Sequence, residues 1–234
     1  MKVLIPFRLK NPKVRLSVFM SEEERRKLAL SMLSDVLGAL KDSGIDMDVE
    51  VILRDEDGAD AVKDVVENFN PSWSVEVDSR DLDDVVNDRL GERTAVVVSD
   101  LPMLSGKVVR DFFSSKADLV LAPGRRGGTN MMLVNRASGK FRASYHYGSF
   151  FKHLSLARTA GMSVEVFDSF FAGSDVDTAD DLLEVLLHAP ESNTGRCLRE
   201  MGFRVALERN PRLYRLYRPF GVEFNCSDSG WCRK

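Results

Sequence analysis

Short apolar runs alternate with helical periodicity through the first part of the chain, and this alternation restricts the fold more than any other feature. The runs that predict strands are 3–7, 49–53, 74–77 and 95–98, and the stretches that predict helices between them are 22–43, 59–69 and 81–90. Ser21 and Glu24 have the spacing of a capping box, and Gly44 ends the first periodic stretch. Strands separated by helices form βαβ units, so the sequence predicts a Rossmann-like α/β domain with a mainly parallel sheet.

The pattern changes in the second half of the chain. Three strand candidates, 119–122, 131–134 and 141–144, follow one another with turn residues between them, which predicts a small antiparallel insertion. A helix over 150–160, a strand over 163–167 and a helix over 179–188 are expected next.

From Ala189 onward the composition differs from that of the preceding residues. This tail is rich in arginine, lacks long apolar runs and contains an alternating segment with Tyr214 and Tyr217. We therefore expect one Rossmann-like α/β domain over 1–188. Residues 189–234 are expected to form an arm that packs on this domain or on a second subunit.

Charge and hydropathy exclude some classes of protein. The 234 residues include 33 Lys and Arg against 36 Asp and Glu, a net charge of −3, whereas nucleic-acid binders usually have a strong basic excess. No apolar run approaches the ~20 residues of a membrane span, and the first residues lack the cleavage site of a signal peptide. The cysteines, Cys197, Cys226 and Cys232, have neither zinc-site nor disulfide-framework spacing. Reduced thiols in a cytoplasmic protein are therefore expected.

The loop after the first predicted strand is basic. Arg8, Lys10, Lys13 and Arg15 fall within eight residues, and residues 1–21 contain no acidic side chain. Open α/β sheets bind ligands at this edge, and helix amino ends favour anions, so a triphosphate is the natural ligand. A solvated basic loop is an equal alternative. The loop matches neither the dinucleotide fingerprint nor the P-loop, which argues against both of those classes.

Aspartates at two places are candidate metal ligands. Asp100 directly follows the apolar run of a central strand, and Asp175 and Asp177 would face the same way in an extended segment. Because the three histidines form no H-E-x-x-H pattern, a metal site would depend on carboxylates, which suit Mg²⁺. The alternative is local turn and capping chemistry, since Thr178 and Asp181 also have capping-box spacing.

Two glycine-containing segments offer anion contacts. Residues 123–130 combine glycines with arginines that suit carboxylate or phosphate, although a flexible hairpin loop is the simpler explanation. Gly148 and Ser149 precede a predicted helix whose amides could hold an anion, or Ser149 simply caps it. We expect His153, one turn further, to be a packing or hydrogen-bonding residue.

Several motifs recur in a fixed order along the chain. They are Ile5-Pro6, Lys13 to Ser17, Glu24 to Ala29, Ser99 to Pro102, Gly128 to Asn130, Gly148 to Phe150 with His153, and Asp175 to Thr178 with Asp181 and Leu182. The order and spacing of this set, which spans about residues 1–188, resemble the 2-phospho-L-lactate guanylyltransferase family. These enzymes have a GT-A-like nucleotidyltransferase fold and are related to the molybdenum-cofactor guanylyltransferases.

The resemblance implies a reaction, a cofactor and partners. GTP and 2-phospho-L-lactate would give lactyl-2-diphospho-5′-guanosine and pyrophosphate, a step in making the deazaflavin coenzyme F-420. Some relatives use phosphoenolpyruvate or 3-phosphoglycerate as the acceptor. Mg²⁺ would be the cofactor, and a homodimer is expected, with the tyrosine-containing arm contributing to it.

The resemblance also implies roles for individual residues. Metal binding would fall to Asp100, Asp175 and Asp177, and contact with the nucleotide would fall to Pro6, Arg8, Lys13, Arg15, Ser99 and Asp100. The acceptor site would include Arg125, Thr129, Gly148 and Ser149, and the catalytic residues would be Lys13, Arg15 and Asp100. Two departures are Arg8, where many relatives have Lys, and the arginine pair before Thr129, which bears on the identity of the acceptor.

The residue types suit this chemistry independently of the family. An ionised acceptor phosphate is already a nucleophile, so no histidine or serine base is required, and catalysis consists of positioning and charge neutralisation. One alternative is a nucleotidyltransferase for another acceptor such as a sugar phosphate, although the first loop lacks the glycines expected there. Another alternative is a non-catalytic nucleotide-binding protein.

Overall fold

A seven-stranded sheet lies at the centre of the computed structural model, which describes residues 1–207 and 210–216. Its strands are β1 (Lys2–Phe7), β2 (Asp48–Leu53), β3 (Ser74–Val77), β4 (Thr94–Val97), β5 (Leu119–Pro123), β6 (Thr129–Val134) and β7 (Val164–Val166). The order across the sheet is β3-β2-β1-β4-β6-β5-β7. Only β6 runs antiparallel to its neighbours, which confirms the predicted α/β class with a mainly parallel sheet and an antiparallel insertion.

Helices cover both faces of the sheet. They are α1 (Glu22–Asp42), α2 (Ala59–Phe69), α3 (Leu82–Arg89), α4 (Gly106–Phe113), α5 (Ser149–Thr159), the short α6 (Phe170–Gly173), α7 (Ala179–His188) and α8 (Asn193–Glu200). At the start of α1, Ser21 accepts from the Glu24 amide at 3.2 Å and Glu24 accepts from the Ser21 amide at 2.8 Å. The predicted capping box is therefore confirmed. Across the described ranges, no helix is both long and apolar enough to cross a membrane.

Alternate residues of the central strands enter two separate hydrophobic clusters. In β1, Val3 and Ile5 face the larger cluster, together with Leu33 and Leu37 of α1. Leu4 faces the opposite side, where α3 and α5 contribute apolar residues. The period of two along a buried central strand thus supplies both faces of the sheet with core residues.

The predicted strand over 141–144 is wrong, and side chains explain why. Phe141 and Ala143 are buried in alternation, as in a strand. However, the amide of Ala143 donates to Asn87 Oδ1 at 2.8 Å, and its carbonyl accepts from Asn87 Nδ2 at 2.9 Å. The segment satisfies its backbone through a side chain of α3 and pairs with no strand of the described chain.

The residues that follow α7 form α8 and a hairpin of β8 (Phe203–Ala206) and β9 (Arg212–Arg215). The carboxylate of Asp35 on α1 accepts from the amides of Asn193 and Thr194 at 2.8 and 2.9 Å, which fixes the start of α8. This region therefore contacts the domain through α1.

The division into a domain over 1–188 and an arm over 189–234 stays a prediction. Tyr214 lies on β9 and is partly exposed, and Cys197 is a free thiol on α8. Tyr217, Cys226 and Cys232 fall outside the described residues.

Candidate active site

An open cleft of about 680 Å³ lies at the carboxyl ends of the parallel strands. The sequence-predicted residues that line it are Pro6, Arg8, Lys13, Arg15, Ser99, Asp100, Arg125, Thr129, Ser149, Asp175 and Asp177. Gly148 lines an adjoining hollow of about 420 Å³ that shares Ser149 with the cleft. The fold therefore brings the predicted residues to one place, at the sheet edge where α/β proteins bind ligands.

The basic loop after β1 is held in place by the buried guanidinium of Arg25 on α1. Its nitrogens donate to the carbonyls of Pro12 and Met20, both at 2.9 Å, and to Asn11 Oδ1 at 2.6 Å. Asn11 and Lys13 adopt left-handed backbone angles, with φ of 44° and 48°. Asparagine tolerates such angles, but they are costly for a lysine, and the Arg25 contacts stabilise the loop in this conformation.

The ammonium of Lys13 lies between two of the predicted metal ligands. It donates to Asp100 Oδ2 and, at 3.1 Å, to Asp177 Oδ1. Arg15 donates to the other oxygen of Asp177 at 2.6 Å. Burial opposes the charge of Lys13, but the two carboxylates outweigh burial and raise its pKa above the usual value. The lysine is therefore a permanent cation at this site.

The backbone explains why the aspartates meet. Asp100 follows β4, and its carbonyl accepts from the Val176 amide at 3.1 Å, which joins the two acidic segments. Val176 is fully buried, so Asp175 and Asp177 on either side of it face the cleft, as expected for an extended segment. Asn130 on β6 donates its side-chain amide to Asp175 Oδ1 at 3.1 Å.

The carboxylates have features that suit a divalent cation. Oδ1 of Asp100 is buried and lacks a hydrogen-bond partner among the described residues. Burial raises the pKa of Asp175, and the neighbouring Asp100 carboxylate raises it further. A bound cation would give the unpaired Asp100 oxygen a partner and would offset the repulsion between the two carboxylates. Carboxylate oxygens are ligands that Mg²⁺ accepts. With Lys13 in place, the ligand atoms of Asp100, Asp175 and Asp177 do not all lie within 4.8 Å of one another.

A second group of metal-ligand type stands at the rim of the cleft. Asp81, Asp83 and His146 have ligand atoms within 4.8 Å of one another. Asp81 accepts from the amide of Asp83 at the start of α3, and Asp83 accepts from the Tyr145 amide at 2.6 Å. Both carboxylates accept hydrogen bonds from backbone amides. These bonds explain why the two side chains lie close together without a metal ion.

Buried hydroxyls form one corner of the cleft, beside the start of α5. Ser149 Oγ lies 3.3 Å from Thr129 Oγ1, which lies 3.0 Å from His153 Nδ1. The amide of Ser144 donates to His153 Nε2 at 2.9 Å. Burial lowers the pKa of His153 to about 4. His153 is thus a buried hydrogen-bonding residue, as the sequence suggested, and it connects to two predicted acceptor-site residues.

Arg125 lies beside the cleft, but its guanidinium is paired with Asp181 at the start of α7. Its backbone amide donates to Asp175 Oδ1 at 3.1 Å. Asp181 also accepts from the amide and hydroxyl of Thr178 at 2.7 and 2.8 Å. The capping interpretation of Thr178 and Asp181 is therefore confirmed, and the cap of α7 also anchors the glycine-containing loop. Metal binding by the preceding aspartates stays a prediction.

Sequence reasoning missed several residues that line the same cleft: Arg54, Asp78, Arg80, Leu82, Val85 and Tyr145. The signal for Asp78 was present, because it follows β3 at the same sheet edge as Asp100. Its carboxylate accepts from Arg80 at 2.8 Å and from Arg89 at 3.0 Å. Tyr145 gave no signal, because it follows the segment that was wrongly predicted as a strand.

The sequence of this chain is similar to those of known proteins. A family model described as "Guanylyl transferase CofC like" matches residues 1–218. A curated protein of Archaeoglobus fulgidus, named 2-phospho-L-lactate guanylyltransferase, is 45% identical over 92% of this chain and 97% of its own length.

Solved structures with low sequence identity share the fold. A structure from Desulfovibrio desulfuricans G20 matches with a TM-score of 0.67 and 18% identity, over 85% of this chain and 94% of that one. A nucleotidyl transferase from Methanothermobacter matches with a TM-score of 0.55 and 13% identity, over 85% and 98% of the two chains. The fold is that of a nucleotidyltransferase, and the chain belongs to the CofC-like guanylyl transferase family.

Proposed function

We propose that this protein transfers GMP from GTP to the phosphate of 2-phospho-L-lactate, in the biosynthesis of coenzyme F-420. The products are lactyl-2-diphospho-5′-guanosine and pyrophosphate. The observation that carries the proposal is the convergence of Lys13, Asp100 and Asp175 with the Thr129 hydroxyl on one cleft. Three curated relatives are named 2-phospho-L-lactate guanylyltransferase, the activity that we propose here.

The nucleotide would lie along the basic loop after β1. Lys13 and Arg15 line the cleft with cationic groups, and Arg8 adds an exposed guanidinium at its edge. A triphosphate binds to such a set because its charge is neutralised by cations held in fixed positions. GTP is the expected nucleotide from the family.

The acceptor would enter at the corner formed by Thr129, Gly148 and Ser149. An oxygen of its phosphate attacks the α-phosphorus of GTP, the bond from that phosphorus to the bridging oxygen breaks, and pyrophosphate leaves with the electron pair. No proton has to be removed from the attacking oxygen, because the phosphate is ionised. The cations of the cleft stabilise the charge that develops on the leaving group.

Mg²⁺ is part of this proposal. Asp100, Asp175 and Asp177 would hold it, and the free buried Oδ1 of Asp100 supports this assignment. When bound, the ion would withdraw electron density from the phosphate oxygens and neutralise part of their charge. The residues of the chain position the substrates around that charge.

The test is pyrophosphate release from GTP and Mg²⁺ with 2-phospho-L-lactate, phosphoenolpyruvate or 3-phosphoglycerate supplied in parallel. Release with 2-phospho-L-lactate in preference to the others is the expected result. Preference for another acceptor would keep the reaction class and change the substrate. GTP binding without release for any acceptor would contradict the proposal and favour a nucleotide-binding role.

A homodimer and a cytoplasmic location also belong to the proposal. Exposed apolar side chains support the dimer: Phe19 and Tyr214 lie in neighbouring segments that are joined by the hydrogen bond from Arg215 to the Phe19 carbonyl. Sedimentation analysis of the full chain and of its Tyr214→Glu variant would test this surface. A monomeric wild-type protein would contradict the dimer.

A further inference from the structure

A chain of hydrogen bonds reaches the acceptor corner from inside the protein. It begins at the backbone amide of Ser144, passes through the imidazole of His153 and ends at the hydroxyls of Thr129 and Ser149. His153 is fully buried, and Thr129 and Ser149 are about 5% and 4% exposed. His153 lines neither the cleft nor the adjoining hollow. Its hydrogen bonds reach the cleft through the two hydroxyls, and its ring also packs against Tyr145, which lines the cleft.

The first bond fixes the position of the proton on the imidazole. A backbone amide can only donate, so Nε2 of His153 must accept from Ser144 and carries no proton. The neutral ring therefore has its proton on Nδ1, and Nδ1 donates to Thr129 Oγ1 at 3.0 Å. A protonated ring would place two N–H groups against each other at Ser144, which agrees with the depressed pKa of this histidine.

The second bond fixes how many donors the corner offers. Thr129 and Ser149 have two hydroxyl protons between them, and one proton is used in the bond that joins their oxygens. The lone pair of Thr129 that faces His153 is already occupied. One hydroxyl proton is left over, whichever hydroxyl donates to the other, and both residues line the cleft. The pair therefore presents a hydrogen-bond donor to a bound substrate.

We propose that His153 is a positioning residue for the acceptor: by donating from Nδ1, it makes the Thr129–Ser149 pair point its remaining hydroxyl proton into the cleft. This inference rests on the proposed function, because it assigns the corner to the phosphorylated acceptor. A hydroxyl proton at this corner favours an anionic oxygen of the substrate, from a phosphate or a carboxylate, over a hydrogen-bond donor. The uncapped amino end of α5, which begins at Ser149, favours the same charge.

Steady-state kinetics test this role with a set of substitutions. His153→Phe removes the donor and keeps a ring, and Thr129→Val removes the hydroxyl with little change of shape. Each should raise the KM of the acceptor about tenfold, the loss expected for one hydrogen bond to an anion. The KM of GTP should stay unchanged in both. His153→Gln offers an acceptor and a donor side by side and should restore most of the affinity.

A double substitution separates positioning from a general loss of structure. If His153 acts through Thr129, the His153→Phe and Thr129→Val double variant should have the same acceptor KM as Thr129→Val alone. Effects that multiply, or a rise in the KM of GTP to the same degree, would overturn the proposal. An acceptor KM in His153→Phe equal to that of the wild type would also overturn it.

The tautomer can be measured in the wild-type protein, so the inference does not depend on the stability of any variant. Nitrogen-15 NMR of the labelled histidines should show a proton on Nδ1 and none on Nε2 of His153 at neutral pH. A proton on Nε2 contradicts the proposal. A wild-type protein that releases no pyrophosphate would contradict the proposed function instead, and the NMR result would still decide the tautomer.

Discussion

Lys13 donates to the carboxylate of Asp100, although the two residues are 87 positions apart in the chain. The lysine ammonium therefore places a positive charge among the predicted metal ligands. Asp177 shares the same ammonium at 3.1 Å. In this arrangement the lysine neutralises carboxylates that would otherwise repel each other across the cleft. A divalent ion and Lys13 would therefore compete for the same oxygens.

We predict that Lys13→Met separates metal binding from turnover. The carboxylates lose their resident cation, so Mn²⁺ should bind severalfold more tightly in the absence of nucleotide. Turnover should fall about a hundredfold, since the nucleotide phosphates lose a fixed positive charge. Electron paramagnetic resonance of Mn²⁺ and pyrophosphate release measure the two effects. Lys10→Met, an exposed change in the same loop, is the control, and equal Mn²⁺ affinity in both variants would contradict the prediction.

Asp100→Asn should reduce Mg²⁺-dependent turnover by about a hundredfold or more while the protein stays folded. The amide keeps the shape of the side chain but removes the charge and one ligand oxygen. Pyrophosphate release measured over a range of Mg²⁺ concentrations checks this, and circular dichroism verifies the fold. Asp60→Asn on the exposed surface of α2 serves for comparison. Wild-type turnover by the Asp100 variant would refute its assignment as a metal ligand.

Arg25→Lys should destabilise the protein by about 2–3 kcal/mol and raise the KM of GTP. A lysine cannot reach the carbonyls of Pro12 and Met20 and the side chain of Asn11 together, so buried acceptors lose their partners. Urea denaturation and GTP titration measure the two effects. The matched change at the next position, Arg26→Lys, affects an exposed ion pair with Asp57 and should cost less than 1 kcal/mol. Equal losses for both variants would refute the anchoring role.

Gly124→Ala should lower turnover, whereas Gly128→Ala should have little effect. A methyl group at Gly124 would overlap Oδ1 of Asn130, whose amide holds Asp175. At Gly128 the nearest atom to an added methyl is the Arg125 carbonyl at 3.5 Å, an ordinary contact. Turnover and thermal melting of the two variants provide the measurement. A fully active Gly124→Ala enzyme would show that the position of Asn130 is unimportant.

The stability of the protein should decrease as the pH falls from about 6.5 to about 4 because of His153. Its pKa is lowered by burial from 6.5 to about 4, so the unfolded chain binds the proton more tightly than the folded chain does. The contribution is complete above pH 6.5 and amounts to at most about 3 kcal/mol. Urea denaturation at several pH values should show that the free energy of unfolding falls less between pH 6.5 and pH 4 in His153→Gln than in the wild type. His146→Gln, a change at an exposed histidine, should leave the loss unchanged.

Much of the architecture could be predicted from the sequence, because strand and helix signals there agree with the tertiary structure. One exception is α4, whose sequence begins with Gly106 and includes two valines, all weak helix formers. It forms because Val109, Phe112 and Phe113 are buried against the core. Tertiary packing overrides local propensity there, although Val109, Phe112 and Phe113 have the spacing of one helix face behind the Ser105 cap.

The candidate site was predictable where its residues follow strands. Asp100 could be located because it follows a central strand, and Asp177 because it alternates with a buried valine. Arg25 could not be found, since nothing in the sequence distinguishes it from Arg26 beside it. It donates mainly to backbone carbonyls of the loop, and every residue type has such a carbonyl, so the sequence does not indicate the contact. The role of His153 likewise depends on the direction of a backbone amide that only the folded chain defines.

The reversed direction of β6 has a consequence for how this enzyme could diversify. The parallel strands deliver the groups that follow them to the cleft, whereas β6 delivers Thr129 and Asn130 from its beginning. The proposed nucleotide side, which follows β1, and the proposed acceptor side, which precedes β6, are thus connected to the sheet by opposite strand ends, with β4 between them. Changes in the loop that enters β6 would reshape the proposed acceptor corner, while the β1 loop would keep its own anchor on Arg25. One scaffold could in this way keep its nucleotide while it exchanges one small phosphorylated acid for another.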